Sequence, residues 1–120
     1  MLYDISRRVL VIQIIGTKKS KDTQKAIRLC LEARIEYQFV DLKERDLSKR
    51  EWESIISSVS DKEDLIDTSS DYYKKQGYSY RDYDPVEEVI MHPELLVLPV
   101  LRRKNKVVLG FVSAFIKEKE

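Results

Sequence analysis

The chain has 120 residues, 42% of them hydrophobic and 36% charged, which fits one ordinary globular domain over 1–120 and excludes a disordered or fibrous chain. Lys and Arg total 22 against 21 Asp and Glu, so the formal net charge is +1 and no global field draws the protein to nucleic acid or to an acidic partner. A single cysteine, Cys30, excludes an internal disulfide and with it a disulfide-stapled secreted scaffold.

The segment from Met1 to Arg8 is too charged to read as a signal peptide. The longest apolar runs, Val9 to Ile15 and Leu95 to Leu101, fall far short of the roughly 20 residues that span a bilayer. A soluble cytoplasmic protein with no membrane association is expected.

The first element runs from Arg8 to Ile15. It is β-branched and nearly all apolar, as a strand covered on both faces would be, and Gly16 ends it. Ser20 is placed to cap a helix reaching about Arg34, with Ala26, Ile27, Cys30, Leu31 and Ala33 on its apolar face. Glu36 to Leu42 alternates as a second strand does. Ser48-Lys49-Arg50-Glu51 forms a capping box, with Leu47 set to staple onto Trp52, and Trp52, Ile55, Ile56 and Val59 make a helical stripe.

Residues 60–83 are polar and rich in tyrosine, and short helices without definable ends are expected there. Asp84-Pro85 opens another helix with Val86, Val89 and Ile90 facing inward, and His92-Pro93 closes it. Leu95 to Leu101 reads as a third strand, Arg102 to Lys106 as a charged turn, and Lys106 to Leu109 as a fourth strand. Gly110 then precedes a short helix carrying Phe111 and Phe115. The order β-α-β-α-(α)-α-β-β-α predicts a right-handed parallel βαβ unit followed by a hairpin. That is an α/β, thioredoxin-like (glutaredoxin-like) fold with a helical insertion, its small mixed four-stranded sheet flanked by helices.

Four segments in this order carry a resemblance. Gly16 to Ala26 is similar to the strand-to-helix loop of the ArsC/Spx/YffB group of arsenate reductase-related proteins, including its basic-Ala pair at Lys25-Ala26. Glu36 to Lys43 resembles the group's second strand, which ends in Asp and a basic residue. Pro93 to Val100 resembles its Pro-x-Leu-Ile-x-Arg-Pro-Ile segment, and Leu109-Gly110-Phe111 its closing Gly-Phe. The resemblance spans about Leu10 to Ile116. It implies that Pro99 is the cis-proline of the fold, beside the active loop.

The chain departs from that group at both chemical positions. Ser20 stands where the nucleophilic cysteine belongs, Leu98 where an arginine binds the oxyanion, and Thr23 where a second cysteine of the Cys-x-x-Cys type would lie. A serine hydroxyl does not ionise near neutral pH and needs an adjacent base, and the lone His92 lies in a different segment. Ser20 is therefore expected to cap its helix, and no catalytic residue is assigned. Cys30 lies about 15 Å along the helix from Ser20, as a packed thiol. His92, with no second His and no Cys near it in sequence, marks a helix end rather than a metal ligand.

Lys18, Lys19 and Lys21 cluster with Thr17 and Ser20 at a helix start. They form either an anion site or a solvated charged loop. Tyr72, Tyr73, Tyr78, Tyr80 and Tyr83 with Lys74, Lys75 and Arg81 could stack on single-stranded nucleic acid, cover a core edge or meet a protein; the near-neutral charge favours the last two. The expectation is a non-catalytic protein acting by protein or anion binding, without cofactor, metal or direct nucleic-acid contact. By analogy with Spx-like proteins, the partner would be a protein such as RNA polymerase. The alternative is an arsenate reductase-like or glutathione-dependent oxidoreductase using a thiol supplied in trans.

Overall fold

A computed structural model describes residues 11–118; the Arg8 to Leu10 part of the expected first strand lies outside them. The elements are β1 (Ile12–Gly16), α1 (Lys21–Glu32), β2 (Tyr37–Asp41), α2 (Lys49–Ser57), α3 (Asp71–Lys75), α4 (Pro85–Met91), β3 (Val100–Arg103), β4 (Lys106–Leu109) and α5 (Ser113–Lys117), with 3₁₀ turns at Lys62–Leu65, Tyr78–Tyr80 and Pro93–Leu95. The chain divides into two compact units. One comprises Met1–Asp46 and Leu98–Glu120, the other Leu47–Val97. No helix among the described residues is long and apolar enough to cross a membrane.

The first unit is a four-stranded sheet in the order β2-β1-β3-β4. β1 and β2 are parallel, joined through α1, while β3 runs antiparallel to β1 and forms a hairpin with β4. This is the thioredoxin-like arrangement, and the second unit is the insertion between its halves. Alternation along β1 sends Ile12 and Ile14 to one face, where they pack with Ala26 and Cys30 of α1, Leu101, and Phe115 and Ile116 of α5. Burying an isoleucine of this kind contributes about 1.5–3 kcal/mol.

Arg103 is also buried, yet its guanidinium has work to do. It donates to the carbonyls of Phe115 and Ile116 at 3.0 Å and of Glu118 at 3.1 Å, satisfying the open end of α5 where a cation suits the helix dipole.

In the second unit, the capping box forms in full. Ser48 Oγ accepts from the Glu51 N–H at 3.1 Å, and Glu51 Oε1 accepts from the Ser48 N–H at 2.8 Å. Leu47 and Trp52 are both buried, as a hydrophobic staple requires. The tyrosine-rich segment supplies packing. Tyr78 is buried, stacked on Tyr73 (5.7 Å between centroids), edge-on to Tyr83 (5.0 Å), and covered by the Arg81 guanidinium 4.1 Å from its centroid. The Tyr78 hydroxyl donates to Glu88 at 2.9 Å and the Tyr83 hydroxyl to Glu63 at 3.1 Å. Tyr80 alone of the five projects fully into solvent.

Burial first, then the Glu88 hydrogen bond, pushes the Tyr78 phenol up to about 12. The unfolded phenol titrates near 10. Between these values the folded chain keeps a proton that the unfolded chain has lost. The stabilisation is therefore complete below about pH 10 and falls as pH rises toward 12. The urea midpoint at about pH 11 should lie below that at about pH 9, and Tyr78→Phe should reduce the difference. Midpoints that do not move with pH would contradict this.

Four expectations are corrected. The strand expected over Leu95 to Leu101 begins only at Val100. Leu95 closes the 3₁₀ turn opened by Pro93, and its carbonyl accepts from the Asp67 N–H at 2.7 Å. The Val97 N–H donates to Leu65 at 2.9 Å, and Pro99 has no N–H to continue a ladder. Arg102 and Arg103 belong to β3, and Phe111 precedes α5 rather than riding on it. Ile90 is 44% exposed: it sits one residue, some 100°, round the helix from the buried Val89, outside the apolar stripe.

Candidate functional site

The register places the candidate site at one end of the sheet. Gly16 pairs with Asp41 at the ends of β1 and β2, and Ile15 faces Val100 at the start of β3. The ladder stops there: Leu98 and Pro99 lead into β3, and Thr17 follows the end of β1. The Leu98–Pro99 peptide bond is cis, and the Pro99 carbonyl accepts from the Gly110 N–H at 2.8 Å. Thr17 and Ser20, and Leu98 and Pro99, thus belong to the two segments that flank the end of the sheet where β1 hands over to α1, the place where parallel α/β sheets hold ligands.

Local chemistry shapes the loop. Ser20 is extended (φ −73°, ψ 119°), and its Oγ accepts from the Thr23 N–H at 3.2 Å, so it caps α1. The Ser20 N–H donates to the Thr17 carbonyl at 3.2 Å, and Gln24 Nε2 holds the Lys18 carbonyl at 3.1 Å. Lys18, Lys19 and Lys21 extend into solvent, while Asp22 stands in the same first turn and pairs with Lys25 at 3.9 Å. The cations and helix dipole favour an anion there and Asp22 opposes it.

Beneath the loop, Gly16 is enclosed. A Cβ on it would run into the side chain of Thr23, which is fully buried and whose Oγ1 has no hydrogen-bond partner among the described residues. Leu98 is half-buried and apolar, so it offers no fork of donors to an oxyanion.

The remaining sequence candidates lie elsewhere. Cys30 is in the core; burial pushes its thiol up and the Arg103 charge pulls the other way less strongly, so it is not an activated nucleophile. His92 ends α4 in the second unit and lies against Tyr72, 5.3 Å between ring centroids. Among the described residues, no three His, Cys, Asp or Glu side chains gather as a metal set would.

Sequence reasoning missed a groove of about 380 Å³, lined by Lys18, residues 38–41 of β2, and Glu44 and Arg45. Nothing in the alternating pattern of β2 distinguishes an edge strand from a central one, so no sequence signal marked it.

No family model matches the chain, and no curated protein matches it in sequence. Solved structures do match its fold. A YffB protein superposes with a TM-score of 0.73 at 18% identity, covering 85% of this chain and 92% of that one. An arsenate reductase (ArsC) related protein from Brucella melitensis gives 0.68 at 24% identity, covering 88% and 91%. An arsenate reductase from Vibrio cholerae gives 0.72 at 13% identity, covering 89% and 95%. The chain therefore has the fold of the arsenate reductase-related proteins across nearly their whole length.

Proposed function

We propose that this chain is a divergent relative of the arsenate reductase-related proteins that works by binding rather than by redox turnover. The observation that carries the reading is the state of Ser20. Its oxygen accepts a backbone N–H as a helix cap, and a hydroxyl so engaged, with no base bonded to it among the described residues, supplies no nucleophile near neutral pH. Leu98, next to the cis-proline, adds no charge for an oxyanion. The ligand of the loop is a small oxyanion held by the first turn of α1 and the lysines, and the role is cytoplasmic and regulatory, exercised on a protein partner.

Two measurements test this. The purified protein, given arsenate with glutathione and glutaredoxin, should show no turnover above background; turnover overturns the reading. Titration with sulfate, phosphate or arsenate at low salt should shift the amide signals of residues 17–22 with a dissociation constant in the millimolar range, about −4 kcal/mol. Added salt should weaken it, because the lysines are exposed. Signals that stay fixed rule the anion site out.

A further inference from the structure

We infer that the chain associates with a second copy of itself head to tail, the basic outer face of α1 in one copy docking on the acidic surface of the insertion in the next. This goes beyond the reading of Ser20 and stands whether or not the loop binds an oxyanion.

The net charge of +1 is a cancellation. The insertion, residues 47–97, carries 12 Asp and Glu against 6 Lys and Arg, and the rest of the chain carries 9 against 16. One unit therefore has an excess of six negative charges and the other of seven positive.

The positive excess has an ordered surface on α1. Lys21, Lys25 and Arg28 stand at i, i+4 and i+7 and so share one face of the helix. Thr23, Ala26 and Cys30 bury the opposite face. All three cations are exposed, and they run about 10 Å along the axis. One carboxylate stands among them, Asp22, 3.9 Å from Lys25.

The negative excess gathers as well. The Tyr83 hydroxyl, bonded to Glu63, joins the turn at Lys62–Leu65 to the segment that enters α4, and α4 packs on that turn. Asp61, Glu63 and Asp64 thus come beside Asp82, Asp84 and Glu87, and all six are exposed. The cations of these segments are engaged locally. Lys62 Nζ donates to the carbonyls of Ile56 and Val59 at 2.8 and 2.6 Å, and the Arg81 guanidinium lies over the Tyr78 ring, 3.9 Å from Glu88.

An acidic surface alone names no ligand. Here the same chain carries the complement, a cationic helix face of opposite and nearly equal excess. The near-neutral total selects a second copy over a polyanion such as nucleic acid. Two copies meet without net repulsion, as proteins of near-zero charge do. A phosphate chain drawn to α1 is repelled by the acidic excess of the insertion. Each copy offers one surface of each sign, so the contact is heterologous.

The test is sedimentation of the intact chain at about 1 mM, with the ionic strength raised from about 20 to about 200 mM. The average mass should rise with concentration in low salt, and the association should weaken several-fold in high salt. Lys25→Gln with Arg28→Gln, outside the anion loop, should leave the chain monomeric, as should Asp64→Asn with Asp82→Asn. A one-to-one mixture of these two double variants should form pairs, because each retains the surface the other lacks. In the mixture the amide signals of residues 21–28 should shift in the second variant and those of 61–64 and 82–87 in the first. A chain that stays monomeric in low salt overturns the proposal, as does association indifferent to salt, or a mixture that fails to pair. So does a single-stranded oligonucleotide that shifts residues 21–28 at lower concentration than the second copy does.

Discussion

Ser20→Cys combined with Leu98→Arg is expected to yield arsenate reduction that neither change yields alone, with glutathione as the reductant. At Ser20 the backbone already has the extended conformation of an N-cap, followed by a helix of 12 residues. A thiol there sits on the positive end of that helix with Lys18, Lys19 and Lys21 nearby, which lowers its pKa below the ordinary value of about 8.5 and makes a thiolate available. The thiolate alone is not enough. The lysines are exposed on a loop and give charge without fixed geometry. Leu98 directly precedes the buried Pro99 and the start of β3, so an arginine there starts from a backbone tied to the β1–β3 end of the sheet. One preorganised donor of this kind is worth about 10²–10³ in rate. The double variant should exceed Ser20→Cys by that order, with Leu98→Arg alone inactive. If Ser20→Cys alone matches the double variant, the role assigned to Leu98 is wrong.

Gly16→Ala is expected to destabilise the protein by about 1–3 kcal/mol, and Thr23→Ala to recover most of the loss. Gly16 has no unusual backbone angle, so the cost comes from the space above it. An added methyl overlaps the Thr23 side chain, which is sealed in the first turn of α1. Thr23→Ala alone should be close to neutral. It gives up a packed methyl but also removes a buried hydroxyl without a partner, a group that costs about 1–3 kcal/mol to desolvate. Urea unfolding of the two single variants and the double variant closes the cycle, with an expected coupling of about 1–2 kcal/mol. Additive losses would show that the two side chains do not meet.

The parts of the fold legible in the sequence are those governed by short-range chemistry. Ser20, Ser48 and Asp84 cap the helices they precede, because a side-chain oxygen can satisfy a helix start with no help from the rest of the chain. The strand at Tyr37–Asp41 and the hairpin of β3 and β4 follow from alternation and proximity. The run Leu95 to Leu101 misleads because composition cannot divide it. Leu95 and Leu96 are buried in one unit and Val100 and Leu101 in the other, and the boundary between them is topological. At the site, Ser20 as a cap was readable and the enclosure of Thr23 was not. The latter depends on how closely α1 returns over Gly16, and the groove along β2 depends on which strand ends at the edge.

The insertion has a consequence for how the chain is made. Residues 47–97 are continuous, so their unit is complete in the nascent chain before any of β3 exists. β1 can pair with β2 early, but its other neighbour is synthesised only after the whole insertion, and α5 later still. At roughly 5–20 residues per second, Ile12 and Ile14 wait for several seconds without Leu101, Phe115 and Ile116 to cover them. A newborn chain stalled within the insertion therefore presents a two-stranded sheet with one apolar face only partly covered, the form in which it is most prone to stick to its neighbours on the polysome.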